Sequence, residues 1–594
     1  VLTNVNQPDR FGDTCVCQEV EDRLSQKGWS TGLPRVRGHI FLIGREYKGP
    51  CCQALCSHAC DVPKPTGWDV KRVWGQVRDQ LPEVFRTAST AQEWMAHLDA
   101  CRDPGVKGQW SKVNTAAVYT LRKLMSGLVC GPMDKNNGEL WMACPCLYKE
   151  AMDKLYNTNG GDYCEIYPKK LTGYKKAKYK GWDLLEEING EEPPRARSKG
   201  GASDVIGAWK HFYKAQGWDK IARFDTRGRL DVPYCLFKGK NIIDPETREQ
   251  KWHKARPITS TFHHPMKRLM HMVGKAWYFM AKKMKGAHFI IDKTSDVPVF
   301  LEHVKSHFGD HEYVAKVLDI EGCFPNMPKD KIRQAMLEIV QDARNDGMTG
   351  VSVPVRSKKL KCSWKKLDGG FKWLSFEVML MVLEFSLTQT ICQLKDGRII
   401  RQVAGIPMGD ALSPGMTIGT CGWMEREWMR GLDTATKDHF KARRYVDDVL
   451  IFMRKHGWDR EKFYADFKRS ECYMPPLNLE EAEEGTFLET SFTIEHGQLR
   501  YRLKNVNAGG AKKVWRYHSF DSYTPTAQKR STMIATLKKV DFMASDEFER
   551  FESARDKLRE FADLGYPAGM RREACGVLIK ERPSMAWAIV GAMQ

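Results

Sequence analysis

The chain has 594 residues, 42% hydrophobic and 28% charged, with a formal net charge of +20. That length supports several domains around a sizeable core, and no apolar run reaches the roughly 20 residues of a membrane span, which argues against a helical integral membrane protein. The charge favours a polyanionic partner, nucleic acid first, over the plainer alternative of a generally basic soluble protein. Eighteen cysteines, with no signal-peptide pattern at Val1-Leu2-Thr3-Asn4, point to a reducing compartment, nuclear or cytoplasmic. Val1 is not an initiator methionine, as expected of a fragment or a processed product.

Residues 1–65 gather Cys15, Cys17, His39, Cys51, Cys52, Cys56, His58 and Cys60. Zinc takes four ligands, usually as two pairs on short turns, and Cys15-x-Cys17 with Cys52-x-x-x-Cys56 or Cys56-x-His58-x-Cys60 would supply them. The spacings match no standard finger, so a set of unpaired thiols is the even alternative. Residues 66–128 carry helical periodicity, from Val70 through Leu81 and again from Val113 to Met125, and no evident chemistry. A loop at Asp134-Lys135-Asn136-Asn137-Gly138 then enters an apolar run, Leu140 to Cys146, read as a strand. Residues 168–202 are basic and turn-rich, consistent with a nucleic-acid-facing insertion or a solvated charge run.

Further on, Lys254-Ala255-Arg256-Pro257-Ile258 places two cations on one side of a strand, which suits a triphosphate. A helical stretch, Pro265 to Met284, follows. The run Tyr313 to Phe324 reads as a buried strand ending at Asp319. Gly405-Ile406-Pro407-Met408-Gly409-Asp410-Ala411-Leu412-Ser413-Pro414 reads as a loop whose glycines admit close approach of a ligand, with a helix from about Met416 to Met429. Arg444 to Phe452 reads as a strand, a turn made of Asp447 and Asp448, and a second strand. Adjacent carboxylates at a turn call for a cation, and hard divalent ions prefer carboxylate oxygen. Asp319 would meet them across a sheet. Adjacent strand residues point apart, so Asp448 is expected to act less directly than Asp447.

Taken in order, the Lys-x-Arg-Pro-Ile strand, the strand ending in Asp, the Gly-Ile-Pro-x-Gly loop with its helix, and Tyr445-Val446-Asp447-Asp448 resemble the reverse transcriptase family over about residues 234–505. The resemblance implies an α+β right-hand fold. Residues 206–310 would be fingers, 311–505 palm and 506–594 a helical, basic thumb. A Cys/His-rich segment (1–65) and a helical extension with a basic linker (66–205) would precede them. It implies RNA-directed DNA synthesis with two Mg2+ held by Asp319, Asp447 and Asp448. The triphosphate would meet Lys254, Arg256, Phe324 and Gly409, and the primer end would be gripped at Phe487 and Leu488. Zn2+ is a candidate second metal. Expected partners are an RNA template, a DNA primer and dNTPs, with no membrane. Phe324, five positions after Asp319, resembles the aromatic gate that excludes a ribose 2′-hydroxyl.

Within that family the cues resemble Penelope-like retroelements, relatives of telomerase reverse transcriptase. They are Asp134 to Gly138, Phe487-Leu488, Tyr517-His518-Ser519-Phe520, Lys529-Arg530-Ser531 and Gly565-Tyr566-Pro567. LINE-type and other eukaryotic retroelement enzymes stand as alternatives. Departures from the pattern are Met408, where many members carry Gln, and an acidic run, Asn478 to Glu484, where a lysine would be expected. No ribonuclease H or Gly-Ile-Tyr endonuclease pattern is present, so integration is not expected of this chain. The rival readings are an RNA-dependent RNA polymerase and a domesticated RNA-binding protein that keeps the fold.

Overall fold

The computed structural model describes residues 14–29, 32–43, 123–134, 136–171, 181–193, 198–238, 255–355, 361–508, 516–520 and 524–593, with isolated positions 74, 92, 93, 96, 120 and 514. Strands β1 (Arg35–Val36), β2 (His39–Ile43), β3 (Val129–Met133) and β4 (Asn136–Ala143) form one sheet in the order β1-β2-β4-β3. Strand β5 (Tyr163–Ile166) joins β11 (Ile391–Gln393) and β12 (Ile399–Gln402), while β6 (Tyr234–Leu236) pairs with β7 (Arg256–Ile258). The central sheet contains β8 (Tyr313–Ile320), β13 (Phe440–Tyr445), β14 (Asp448–Arg454) and β15 (Leu479–Glu481), in the order β13-β14-β8-β15. Two smaller sheets are β9 (Gly350–Pro354) with β10 (Phe371–Ser375), and β16 (Thr486–Phe487), β17 (Thr490–Glu495) and β18 (Gln498–Leu503).

Every ladder between these strands is antiparallel, and helices pack around them. The mixed α+β class expected from sequence is therefore the observed one. The β14 interior, Val449 to Met453, is buried at every position because both faces are covered. Val449, Ile451 and Met453 join the large core that includes the helices Lys329–Asn345 and Ser413–Gly431. Leu450 and Phe452 join a second core with Phe300, Tyr313, Phe487 and Tyr501. At about 1.5–3 kcal/mol for each such side chain, burial of this strand contributes on the order of 10 kcal/mol. A polar substitution inside it would break both layers at once.

The N-terminal sheet has its own core, in which Trp141 stacks on Tyr148 at 5.5 Å and Phe237 meets Trp141 edge-on at 4.7 Å. The helices Thr526–Phe542, Glu547–Asp563, Ala568–Glu581 and Ala586–Met593 close around Met533, Leu537, Phe561 and Leu578, with Leu503 linking them to β18. The expected strand from Leu140 to Cys146 stops at Ala143, because Pro145 opens the helix Pro145–Leu155. Among the described residues, no helix is long and apolar enough to cross a membrane.

Candidate functional site

The hairpin β13–β14 carries the paired aspartates, and its register differs from the sequence expectation. Tyr445 pairs with Asp448, so the two-residue turn is Val446-Asp447 and Asp448 already belongs to β14. Val446 adopts φ +59, a left-handed conformation that is costly for a β-branched residue, by about 1–3 kcal/mol. Backbone and side-chain bonds hold it there. The Arg444 Nη1 donates to the Val446 carbonyl at 2.7 Å, and the Ile320 amide donates to the Asp447 carbonyl at 3.0 Å.

That register decides where the carboxylates go. Asp448 lies opposite Asp319 on the β14–β8 ladder, and Glu480 lies opposite Asp319 on the β15–β8 ladder. Residues directly opposite on neighbouring strands share a face. Asp448, Asp319 and Glu480 thus form one row across three strands. One carboxylate oxygen from each of Asp319, Asp447 and Asp448 lies within 4.8 Å of the others. Several hard oxygen donors this close suit a divalent cation such as Mg2+. Glu480 falls in the acidic run seen in the sequence, yet only the strand pairing reveals that it faces this centre.

Asp319, Asp447 and Glu480 line a cleft of about 1710 Å3. Arg256, Lys267, Arg268, His271 and Lys275 line the same cleft. The last four share a face of the helix Lys267–Ala281 at spacings of one, four and eight residues. That basic face was readable as a helical pattern, but the sequence alone gave no reason to aim it at the acidic centre. Arg256 sits on β7 and pairs with Asp134 at 3.4 Å. Its expected companion Lys254 lies outside the described residues.

Phe324 lines the cleft from the short helix Cys323–Asn326, and its carbonyl accepts the Ile406 amide at 2.9 Å. Met408, Gly409 and Asp410 of the glycine loop line the same cleft, and both glycines of the loop also lie against protein backbone. A Cβ on Gly405, which has φ +64, would sit 2.0 Å from the Pro325 carbonyl oxygen. Gly405 therefore allows the chain to approach its own backbone rather than a ligand. Gly409 has φ +111 and lies against Ser260, while the Thr259 amide donates to the Met408 carbonyl at 2.9 Å. The loop is thereby fastened to both the Phe324 helix and the segment after β7. It leads into the helix Ser413–Gly431, which starts three residues earlier than expected. Burial raises the Asp410 carboxyl above the usual carboxylate range, and the Ser386 hydroxyl donates to it at 2.7 Å.

Phe487 is buried, with 1% of its surface exposed, and packs β16–β18 from within. Leu488, at φ +55, forms the turn after it and is only partly buried. Of the expected zinc ligands, Cys52, Cys56, His58 and Cys60 lie outside the described residues. Cys15 and Cys17 instead meet His39 and Cys144.

No protein-family model matches the chain, and no curated protein matches it. Solved structures similar to it include the telomerase from Candida albicans in complex with a TWJ fragment of telomeric RNA. That alignment has 11% identity over 100% of this chain and 98% of that one, with a TM-score of 0.42. A telomerase from Candida tropicalis with a TWJ fragment of telomeric RNA aligns at 12% identity and a TM-score of 0.36. It covers 65% of this chain, which spans 62% of the Candida tropicalis chain. The RNA-dependent RNA polymerase of bacteriophage phi12 aligns at 11% identity over 65% of this chain and 63% of that one, with a TM-score of 0.34. All three fall below 25% identity and a TM-score of 0.5, so the functional assignment rests on this chain's own geometry.

Proposed function

We propose that the chain is a template-directed polymerase, and more narrowly an RNA-directed DNA polymerase of a retroelement. The observation that carries this reading is the convergence of Asp319, Asp447 and Asp448 beside a large cleft that is also lined by Arg256, Lys267, Arg268 and Lys275. Such a cleft pairs a site for divalent cations with a surface for a polyanion. In this reading the 3′-hydroxyl of a DNA primer attacks the α-phosphate of a dNTP. A new P–O bond forms, the bond to the β-phosphate oxygen breaks, pyrophosphate leaves and the hydroxyl proton passes to solvent.

Asp319, Asp447 and Asp448 would hold two Mg2+, which when bound would make the hydroxyl more acidic and offset charge on the transferring phosphate. Arg256, with Lys254, would bind the triphosphate oxygens, and the basic helix face would extend that surface along a nucleic-acid backbone. Gly409 would set the floor under the nucleotide, since its loop is bonded to the segment that follows Arg256. Residues 206–310 would act as fingers, 311–505 as palm and 506–594 as thumb, with the turn at Leu488, backed by Phe487, near the primer end.

Phe324 lines the cleft together with Asp319, and in this reading it would exclude the ribose 2′-hydroxyl and so favour DNA as the product. Phe324→Ala is expected to raise rNTP use relative to dNTP use by at least about tenfold, the scale of a contact worth one or more methylenes. Extension of a primed RNA template with each nucleotide set, by the wild type and this variant, tests the reading. Exclusive use of rNTPs by the wild type would overturn the DNA assignment, and unchanged discrimination in the variant would remove Phe324 from it.

A further inference from the structure

Three cysteines and a histidine from distant stretches meet beside the N-terminal sheet, and nucleotidyl transfer makes no use of them. Cys15 lies just ahead of the helix Cys17–Ser25, which Cys17 begins. His39 is the first residue of β2. Cys144 lies between β4 and the helix Pro145–Leu155. Cys144 is 129 residues from Cys15 in sequence, so no local turn brings them together.

The distances among the donor atoms are informative. Cys15 Sγ is 3.4 Å from His39 Nδ1, Cys17 Sγ is 4.0 Å from the same nitrogen, and Cys15 Sγ is 3.9 Å from Cys144 Sγ. All four donor atoms lie within 4.8 Å of one another. With Zn–S near 2.3 Å and Zn–N near 2.0–2.1 Å, a tetrahedron has S–S edges of about 3.8 Å and S–N edges of about 3.5 Å. These three edges fall within about half an ångström of those values. They are far from the roughly 2 Å of a disulfide bond. The Ile40 amide also donates to Cys17 Sγ at 3.2 Å, the kind of backbone bond that orients a metal-bound thiolate.

A chance gathering of core thiols is the alternative. It explains Cys17 and Cys144, which are buried, but not Cys15, which is exposed, nor the ring nitrogen set between sulfurs. We propose that Cys15, Cys17, His39 and Cys144 hold a structural Zn2+ that fastens the N-terminal helix to β2 and to the end of β4. Four protein ligands close the coordination shell, which is the pattern of a structural rather than a catalytic zinc site. The clamped elements share a core with Phe237 and Ala255, next to Arg256. The site does not depend on the polymerase reading and would stand if that reading failed.

Metal analysis of the purified 594-residue chain tests it. About one equivalent of zinc is expected, falling below about a fifth in Cys15→Ser, His39→Ala and Cys144→Ser. Cys146→Ser and the pair Cys52→Ser/Cys56→Ser are expected to keep it. Zinc absent from the wild type overturns the proposal, as does zinc retained in Cys144→Ser or lost in the Cys52/Cys56 pair. Should the serine variants fail to fold, Co2+ exchanged into the wild type provides a second measurement. Tetrahedral visible bands with thiolate charge transfer from three sulfurs are expected, moving towards a four-sulfur spectrum in His39→Cys. An octahedral cobalt spectrum, or one with fewer than three sulfurs, would contradict the site.

Discussion

Asp447→Asn is expected to lower the rate of nucleotide incorporation proposed for this chain by at least about a thousandfold, equivalent to about 4 kcal/mol of transition-state stabilisation. The substitution keeps the side-chain volume and removes the charge. It also keeps the backbone that shapes the turn, since the Ile320 amide bonds the Asp447 carbonyl rather than its carboxylate. The melting temperature should therefore change little while single-turnover extension collapses. Asp319→Asn should behave alike, because Asp319 shares both the cleft and the donor cluster. Asp448→Asn is expected to cost less. Asp448 joins the donor cluster from the β14 ladder but, among the described residues, is not part of the cleft lining. A loss below tenfold in Asp447→Asn would remove the carboxylates from the chemistry.

Arg444→Met is the second large effect, and it concerns the support beneath the turn. Arg444 and Glu425 form an ion pair in which both side chains are 0% exposed. Burial alone would lower the Arg444 pKa, but the adjacent Glu425 carboxylate overrides it and holds the guanidinium firmly charged. Arg444 also donates to the Ile418 carbonyl at 3.3 Å as well as to Val446. Glu425 in turn accepts from the Tyr473 hydroxyl at 2.7 Å and from the Phe289 amide at 2.8 Å. Removing the guanidinium strands a buried carboxylate, which typically costs about 3–5 kcal/mol. Denaturant unfolding should show that loss, and adding Glu425→Met should recover part of it, since an apolar pair replaces a buried ionic one with little penalty. A loss under about 1 kcal/mol would mean the pair supports the turn only weakly.

What the sequence shows of this site is its local part. Strand-forming residues on either side of Asp447 and Asp448, Tyr445 and Val446 before them and the run Val449 to Phe452 after, announce a hairpin, and the Gly-Ile-Pro-Met-Gly loop announces the helix that follows it. Register is a different matter. Moving the turn by one residue, from Asp447-Asp448 to Val446-Asp447, puts Asp448 opposite Asp319. Nothing in residue preference forecasts a valine at φ +59, because tertiary bonds from Arg444 and Ile320 impose it. Long-range pairing was equally hidden. Glu480 enters the carboxylate row only through β15, and β5 pairs with β12 across much of the chain. Cys144 joins Cys15 and Cys17 for the same reason, since ligand spacing reveals only neighbours along the chain. Gly405 was legible as a glycine requirement, but its partner is Pro325 and not a ligand.

The most direct test of the central claim is extension of a labelled DNA primer on an RNA template of defined sequence by the purified wild-type chain, with Mg2+ and the four dNTPs. The predicted result is a DNA product complementary to the template that disappears with chelator and returns with added Mg2+. No extension under these conditions, or addition that ignores the template sequence, would contradict a templated polymerase built on Asp319 and Asp447.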